Sequence, residues 1–220
     1  MQLNTVLFDM DGLLIDSEPL WNEAANEVFS SYGIQLTDAQ YKSSTGLRTK
    51  EFVEWWFNAF GIDNNENADA IAAINGTVVE KIRLHAEPMP GIETIFSLFK
   101  NLDFKIGIAS SSPKELIDLV INQFGLQQYV QAIASAQHLP FGKPHPQVYL
   151  DCATALQSSP LECICFEDSF NGMIAAKAAR MKCVVVPHFS ELEEYKWGGA
   201  DLKISSLENF DIENLKLLYF

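Results

Sequence analysis

The chain has 220 residues, of which 48% are hydrophobic and 20% charged, which allows a sizeable core and argues against pervasive disorder. Its formal net charge of −14 disfavours nucleic acid and anionic membranes as partners, since both attract basic surfaces. The sequence shows neither a targeting segment nor an apolar run approaching the ~18 residues of a membrane span, which predicts a cytoplasmic protein.

Five short apolar runs predict the strands of a sheet. They span residues 5–8, 104–109, 132–135, 163–166 and 183–186. Each run is nearly continuously apolar rather than alternating, which is typical of a parallel sheet that is covered on both faces. Amphipathic stretches of helical length lie between the runs, at residues 92–102, 113–124, 146–156 and 171–179. This alternation predicts an α/β fold built on a doubly wound parallel sheet.

The interval of residues 19–88 departs from this alternation, because it has helical periodicity and no convincing strand. Residues 87–91, a Glu-Pro-Met-Pro-Gly segment, indicate a linker at its end. We therefore expect an α/β core formed by residues 1–18 and 89–220, with an inserted helical domain formed by residues 19–88. Residues 209–220 predict a final helix without a chemical role.

Two acids, Asp9 and Asp11, follow the first predicted strand, and Gly12 allows the backbone to turn directly after them. Open α/β folds bind ligands at the carboxyl ends of their strands, so both carboxylates are expected to face a binding site. Carboxylate oxygens bind hard cations, and such a pair can also provide a nucleophile and a general acid/base. The alternative interpretation is a polar turn without chemistry.

A segment rich in hydroxyl groups follows the second predicted strand. Ser110, Ser111 and Ser112 precede Pro113, and proline is favoured at the first position of a helix. The free amides of that helix start, together with the Ser110 hydroxyl, predict an anion site. Simple capping of the helix by Ser112 is the alternative.

A lysine and a second acid pair complete the set of polar groups. Lys143 lies between a glycine and a proline, and its ammonium group can neutralise both a phosphate oxygen and a carboxylate. Glu167 and Asp168 follow the fourth predicted strand and can complete a cation site with Asp9. A solvated surface lysine and a helix-capping acid pair are the corresponding alternatives. Because parallel strands end at one edge of the sheet, we expect these groups to lie together.

The sequence resembles the haloacid dehalogenase superfamily along essentially its whole length. The four motifs of that superfamily occur here in order, as Asp9-x-Asp11-Gly12, Ser110, Lys143 and Glu167-Asp168. The insertion between the first two motifs is similar to the helical cap of the phosphoglucomutase-like subgroup. Residues 8–21, 143–153 and 167–179 look most like bacterial phosphatases of 2-deoxyglucose-6-phosphate and hexitol phosphates.

The resemblance implies a role for each core residue. Asp9 would attack phosphorus and form an aspartyl-phosphate, while Asp11 would protonate the departing oxygen and later deprotonate the hydrolysing water. Ser110 and the Ser111 amide would hold phosphoryl oxygens, and Lys143 would screen Asp9 from the phosphate. The implied substrate is a small phosphorylated metabolite, either a sugar phosphate or a sugar-alcohol phosphate. Phosphoryl transfer of this kind depends mainly on positioning and on charge placed around the transferring group.

The same resemblance implies a Mg²⁺ cofactor. Its ligands would be Asp9, the backbone carbonyl of Asp11, Asp168 and, through a water molecule, Glu167. Phosphate and water would complete the octahedral shell of oxygen atoms that Mg²⁺ requires.

Substrate selection is expected in the cap. Arg48 stands in a glycine-containing segment, residues 45–51, which faces the core site in the family, so we predict that Arg48 contacts substrate. A surface ion pair between Arg48 and Glu51 is the alternative. Trp55 and Trp56 are interpreted as helix packing rather than as a platform for a sugar ring.

A sugar-phosphate mutase is the main alternative function, because such mutases share the fold and all four motifs. Their caps usually carry a histidine where this chain has Trp21, which favours hydrolysis. A non-catalytic binding protein on the same scaffold would be expected to lack one of the motif residues, and all of them are present. We expect a monomer by default, with no nucleic acid or membrane partner.

Overall fold

A computed structural model describes residues 2–219 as an α/β fold around one six-stranded sheet. The strands are β1 (Thr5–Phe8), β2 (Lys105–Ser110), β3 (Ala132–Ser135), β4 (Cys163–Glu167), β5 (Lys182–Val185) and β6 (Leu202–Lys203). All neighbours are parallel, in the order β3-β2-β1-β4-β5-β6. The order reverses beside β1, so the carboxyl ends of β1, β2 and β4 border the crevice where open α/β sheets bind ligands. The predicted α/β fold with a parallel sheet is confirmed.

The helices cover both faces of this sheet. Within residues 2–219 they are α1 (Glu18–Ser31), α2 (Asp38–Lys42), α3 (Thr49–Phe60), α4 (Asn67–His85), α5 (Ile92–Asn101), α6 (Lys114–Gln123), α7 (Gln147–Ala155), α8 (Phe170–Ala178) and α9 (Ile212–Leu217). Val6 and Phe8 pack in one core with α5 and α6, whereas Leu7 between them packs in a second core with α7 and α8. Burial of both faces explains the continuous apolar runs. None of the helices in the described residues has the length and apolar character needed to cross a bilayer.

Residues 18–85, all of which the structure describes, form α1 to α4 and contain no strand. An aromatic cluster holds these helices together, because the Phe29 ring centroid lies 5.3 Å from the centroids of both Phe52 and Phe57. The helical periodicity of this interval therefore reflects apolar faces that pack on one another over the carboxyl edge of the sheet, and these faces belong to the same hydrophobic cluster as Val6 and Phe8 of β1.

Two crossing segments connect the helical unit to the sheet. Asp16 N donates to Glu87 O at 3.0 Å, and Met89 N donates to Leu14 O at 2.9 Å. These backbone bonds hold the exit and return segments side by side, which is the geometry of a two-stranded hinge. We propose that residues 19–88 form a cap domain that moves about it.

Most element bounds differ from the sequence expectations by one residue at an end, and three further differences have a physical reason. Helix α6 begins at Lys114, because Pro113 has extended backbone angles of φ −56° and ψ 144°. The two-residue strand β6 was not expected, since such a short edge pairing leaves no hydrophobic pattern. The final helix begins at Ile212 rather than at residue 209, because the Asp211 side chain caps it, and its expected last residue, Phe220, lies outside the described residues.

Candidate active site

Asp9 stands at the carboxyl end of β1, in the middle of the sheet. Its backbone N–H donates to the Phe166 carbonyl at 3.0 Å, which extends the pairing of β1 with β4 by one bond. Gly12 then turns the chain with a φ of +72°, and a Cβ at this position would overlap the Asp168 carboxylate. The first predicted motif is therefore a compact turn at the sheet edge that has no room for a side chain at its glycine.

Lys143 is buried and bridges two acids. Its Nζ lies 2.8 Å from Asp9 Oδ1 and 2.7 Å from Glu167 Oε1, and it donates to the Ala109 carbonyl at 3.2 Å. The Tyr149 hydroxyl also donates to Glu167 Oε1. The predicted lysine is thus an internal cation and not a solvated surface group, and Glu167 helps to hold it beside Asp9.

Burial dominates the protonation of this network. Burial raises the pKa of Asp9 to about 7, although the Lys143 cation works against that rise, and the Glu167 charge adds to it. Burial also raises the pKa of Asp168 well above its usual range, with Asp9 and Glu167 contributing. Burial by itself would lower the pKa of Lys143, but the charges of Asp9 and Glu167 raise it above its usual range. Three acids around one cation leave a surplus of negative charge that a second cation would relieve.

The acids are arranged so that they could hold that second cation. Oxygens of Asp9, Glu167 and Asp168 lie within 4.8 Å of one another. Asp168 Oδ1 is buried and has no hydrogen-bond partner within residues 2–219, which is costly for a carboxylate oxygen unless a cation binds it. Hard cations such as Mg²⁺ prefer oxygen ligands, so the residues present fit such an ion. Both Glu167 oxygens already accept hydrogen bonds from protein groups, which favours the expected contact through water.

Three donors hold the Asp11 carboxylate. Ser17 Oγ and Trp21 Nε1 both donate to Oδ1 at 2.8 Å, and Ser112 Oγ donates to Oδ2 at 2.6 Å. Ser112 therefore serves Asp11 and does not cap α6, for which the described residues show no side-chain cap. The Asp11 side chain does not belong to the cluster formed by Asp9, Glu167 and Asp168. The expected contact between a cation and the backbone carbonyl of Asp11 stays a prediction.

The serines that the sequence predicts to bind phosphate lie at the end of β2, close to Asp9. Ser110 ends β2, and its Oγ accepts a hydrogen bond from the Ser112 amide at 3.0 Å. Ser111 Oγ donates to the Gly46 carbonyl at 3.0 Å, which joins this loop to the helical unit. Ser110 and Ser111 both line the same cavity as Asp9.

That cavity has a volume of about 70 Å³ and lies between the sheet edge and the helical unit. The core contributes polar groups to its lining, namely Asp9, Asp11, Ser110, Ser111, Ser112, Asp168 and Ser169. The helical unit contributes apolar groups (Trp21, Ala25, Leu47, Phe52, Ile74) and hydroxyl-bearing residues (Tyr41, Ser44, Thr45, Thr49). Glu18 also lines the cavity, and burial raises its pKa to about 7. A small ester with its anionic end at the core and its carbon skeleton toward the helices fits this distribution.

Arg48 lies at the boundary between the helical unit and the core. Its Nη1 donates to the carbonyls of Ala136 and Leu139 at 3.0 and 2.5 Å, and its Nη2 pairs with Glu51 Oε1 at 2.6 Å. The ion pair with Glu51 exists, but Arg48 is only 6% exposed, so the pair is not a surface contact. Within the described residues Arg48 does not line the cavity, whereas its neighbour Thr49 does. The guanidinium thus links the helical unit to the core through the two backbone carbonyls that accept from Nη1.

The two neighbouring tryptophans of α3 differ in environment. Trp56 is buried and donates to Ser44 Oγ at 3.2 Å, which agrees with a packing role. Trp55 is 65% exposed, because consecutive helical residues point in different directions. Neither of these described residues lines the cavity.

Trp21 and Glu18 are among the residues of this site to which the sequence analysis assigned no chemical role. Trp21 follows Ser17, the residue before α1, by four residues or about one helical turn, so both side chains point toward Asp11. That spacing, directly after the first motif, is the signal that could have found Trp21. Glu18 carries no comparable signal, since an acid at a helix start usually serves the helix dipole.

Proteins of known family are similar to this chain along most of its length. Residues 6–186 match the family described as haloacid dehalogenase-like hydrolase. The chain is 38% identical over 215 residues to hexitol phosphatase B of Escherichia coli (strain K12), which covers 97% of both chains. It is 31% identical to fructose-1-phosphate phosphatase YqaB of the same strain, covering 82% of this chain and 95% of the relative. A β-phosphoglucomutase structure from Clostridium difficile matches with a TM-score of 0.86 and 25% identity, covering 99% of this chain and 97% of that one.

Proposed function

The chain belongs to the haloacid dehalogenase-like hydrolase family, and we propose that it is a Mg²⁺-dependent phosphatase of small sugar or sugar-alcohol phosphates. One observation carries the proposal: Asp9 and Asp11 face the same small cavity, and Lys143 lies directly behind Asp9. The names of two relatives, a hexitol phosphatase and a fructose-1-phosphate phosphatase, support the substrate class.

Asp9 is the nucleophile in this proposal. A carboxylate oxygen of Asp9 attacks phosphorus as the bond from phosphorus to the leaving oxygen breaks, which leaves an aspartyl-phosphate. Lys143, whose Nζ lies 2.8 Å from Asp9 Oδ1, favours the ionised carboxylate against the burial that raises its pKa to about 7. Ser110 and Ser111, at the end of β2, supply donors for the phosphoryl oxygens.

Asp11 acts first as a general acid and then as a general base. It gives its proton to the leaving oxygen, so that a neutral alcohol departs. The resulting Asp11 carboxylate then takes a proton from the water that attacks the aspartyl-phosphate. This second step releases phosphate and restores both Asp9 and the protonated Asp11.

Asp9 and Asp168, with the Asp11 carbonyl and Glu167 through water, are the proposed ligands of Mg²⁺. The crowding of acids supports this assignment, as does the Asp168 oxygen that has no hydrogen-bond partner within residues 2–219. When bound, Mg²⁺ supplies positive charge that offsets the phosphoryl oxygens and the acids around them.

A sugar-phosphate mutase is the alternative reaction on the same scaffold. Trp21 stands beside Asp11 where such mutases usually have a histidine, and an indole N–H can donate a hydrogen bond but cannot accept a proton. The absence of a second base at this position supports water, rather than a sugar hydroxyl, as the acceptor of the phosphoryl group.

The test is phosphate release from a panel of sugar and hexitol phosphates, beginning with 2-deoxyglucose-6-phosphate, in Mg²⁺ and in EDTA. We expect release only in Mg²⁺ and its loss in Asp9→Asn, which keeps the side-chain shape and removes the anionic nucleophile. Asp118→Asn is the matched control, because Asp118 is a surface carboxylate that pairs with Lys114. Interconversion of isomers without phosphate release would favour the mutase, and parental activity in Asp9→Asn would contradict the assignment of the nucleophile.

The cytoplasmic location and the monomeric state stay predictions from the sequence. Cell fractionation and sedimentation of the purified protein would check them.

A further inference from the structure

The cavity is acidic, and the residues that line it include no cation. Asp9, Asp11 and Asp168 line it from the core, and Glu18 lines it from the first turn of α1. Within residues 2–219, no lysine, arginine or histidine belongs to the lining. Lys143 lies behind Asp9, at the end of the cavity where the phosphoryl group would bind. The end that would hold the carbon skeleton therefore carries negative charge without a cation to offset it.

The Glu18 carboxylate has no partner that would neutralise it. Within the described part of the chain, no hydrogen bond or ion pair joins it to another group. Burial raises its pKa to about 7, and the charges of Asp11, Asp9, Asp16 and Glu191 add to that rise. An acid at a helix start usually serves the helix dipole, but this side chain lines a cavity, where water screens its charge less than at the surface. An anion beside Glu18 would therefore be repelled.

Arg48, the cation expected to contact substrate, does not offset this charge. Leu47 and Thr49 both line the cavity, but Arg48 between them does not. Its guanidinium donates to two backbone carbonyls of the core and pairs with Glu51. A second anionic group on a substrate thus finds no arginine at the helical end of the cavity.

A wider groove continues from the cavity past Glu18. It has a volume of about 640 Å³, and the residues that line both spaces are Glu18, Tyr41, Thr45, Asp168 and Ser169. The other charged residues and the histidine of the groove are of both signs, namely Asp16, Asp38, Lys42, His188, Glu191 and Lys196. The groove is thus mixed in charge, whereas the cavity is acidic. A leaving group that extends from the cavity toward the groove meets Glu18 at the junction.

We propose that Glu18 is a specificity-determining residue that selects against phosphate esters whose leaving group carries a negative charge. The proposal rests on the phosphatase function proposed above. Lys143 and the proposed Mg²⁺ ligands lie at the core end, so the cations that offset the phosphoryl group do not offset a carboxylate or a second phosphate on the carbon skeleton. An uncharged polyol avoids the repulsion by Glu18, and a leaving group with an ammonium group is attracted by it.

Two esters that differ only at the end far from phosphorus measure this selection. Glucitol 6-phosphate ends in a CH₂OH group where 6-phosphogluconate has a carboxylate. At about pH 8, about 9 in 10 Glu18 carboxyls are ionised. We expect the parent protein in Mg²⁺ to have the higher kcat/KM for glucitol 6-phosphate. The ratio of the two kcat/KM values cancels any effect of a substitution on steps that both esters share.

Glu18→Gln keeps the shape of the side chain and removes its charge. We expect this substitution to lower the preference for glucitol 6-phosphate about tenfold, or about 1.4 kcal/mol, as for two unit charges about 6 Å apart at a dielectric constant of about 40. Glu18→Ala carries the same comparison should thermal unfolding show that Glu18→Gln does not fold.

Small esters of opposite charge distinguish an effect of charge from an effect of shape. Phosphoethanolamine ends in an ammonium group, phosphoglycolate in a carboxylate and 2-hydroxyethyl phosphate in a hydroxyl. Their inhibition constants against hydrolysis of glucitol 6-phosphate compare their binding whether or not they are hydrolysed. Relative to the hydroxyl ester, Glu18→Gln should weaken inhibition by phosphoethanolamine and strengthen inhibition by phosphoglycolate. A change of shape alone would shift both in the same direction.

Glu23→Gln is the matched control, because Glu23 lies on the same helix but is exposed and pairs with Lys81. It removes the same charge from the protein, and we expect every ratio to stay at the parent value. An equal change in Glu23→Gln would assign the selection to the net charge of the protein and would contradict the role of Glu18.

A parental ratio in Glu18→Gln, or a shift of both charged inhibitors in the same direction, would overturn the role of Glu18 and leave the phosphatase function standing. A parent protein that hydrolyses no sugar or hexitol phosphate in Mg²⁺ would instead contradict the proposed function, and the selection by Glu18 with it.

Discussion

The buried Asp9 carboxyl is expected to make Mg²⁺ binding, and the stability that Mg²⁺ confers, depend on pH. Burial raises the pKa of Asp9 from its ordinary value of 3.8 to about 7, with Lys143 opposing the rise and Glu167 and Asp11 adding to it. A carboxylate must be ionised to bind a metal ion, so protons and Mg²⁺ compete for Asp9. Acidic solution should therefore weaken the effect of Mg²⁺ on the fold.

The size of the effect follows from the Asp9 pKa. With a pKa of about 7, roughly 1 in 30 metal-free molecules has an ionised Asp9 at about pH 5.5, against about 9 in 10 at about pH 8. Protonation of Asp9 alone thus changes the apparent affinity for Mg²⁺ about 30-fold between these conditions, and the raised pKa of Asp168 acts in the same direction. Because a ligand stabilises the fold by RT ln(1 + [L]/Kd), Mg²⁺ in excess should stabilise by about 2 kcal/mol more at the higher pH.

The metal-free protein should show the opposite trend. The folded-state pKa of Asp9 lies above its unfolded value of 3.8, so its contribution to stability is fully present below about pH 4 and is lost as pH rises through about 7. Glu18, whose pKa burial raises to about 7, acts in the same direction. In EDTA, these two groups should make the protein less stable at about pH 8 than at about pH 5.5.

Urea unfolding at the two pH values, each in EDTA and in excess Mg²⁺, measures both trends. Asp118→Asn should behave like the parent protein, since this carboxylate pairs with Lys114 at the surface. Asp168→Asn should lose most of the stabilisation by Mg²⁺ at both pH values, because it removes a proposed ligand. An equal gain from Mg²⁺ at both pH values would refute the competition between protons and Mg²⁺ at Asp9.

Three further predictions test other parts of the structure, one of them with a control substitution. Lys143→Met leaves two buried carboxylates without their cation, so denaturant titration should show a loss of about 3–5 kcal/mol in unfolding free energy. Gly172→Ala would push a methyl group into the Glu167 carboxylate and should lower both activity and Tm. Gly76→Ala is its control, because a Cβ at Gly76 meets nothing within 4 Å among the described residues. This control should stabilise the fold by about 0.5–1 kcal/mol. Arg48→Lys keeps the charge but cannot reproduce the hydrogen bonds that Arg48 donates to the Ala136 and Leu139 carbonyls. We therefore expect a lower Tm. An unchanged Tm would contradict the role of Arg48 in joining the helical unit to the core.

The sequence by itself determined the fold of the core and the edge at which its polar groups meet. Apolar runs that are continuous rather than alternating are stable as strands buried on both faces, and such strands form parallel sheets. The carboxyl ends of parallel strands lie along one edge, so residues that end or follow these runs must come close together. The structure places four such residues around one crevice, namely Asp9, Ser110, Glu167 and Asp168.

Only the tertiary structure decided how the cap meets that edge. Arg48 donates to a carbonyl 88 residues away along the chain, and Trp21 donates to Asp11 across the boundary between α1 and the sheet. Helical periodicity shows which face of a helix is apolar but not which surface that face covers, because one apolar stripe can pack against many surfaces. The role of a residue in the helical unit depends on where that unit packs against the sheet edge, and no local pattern carries that information.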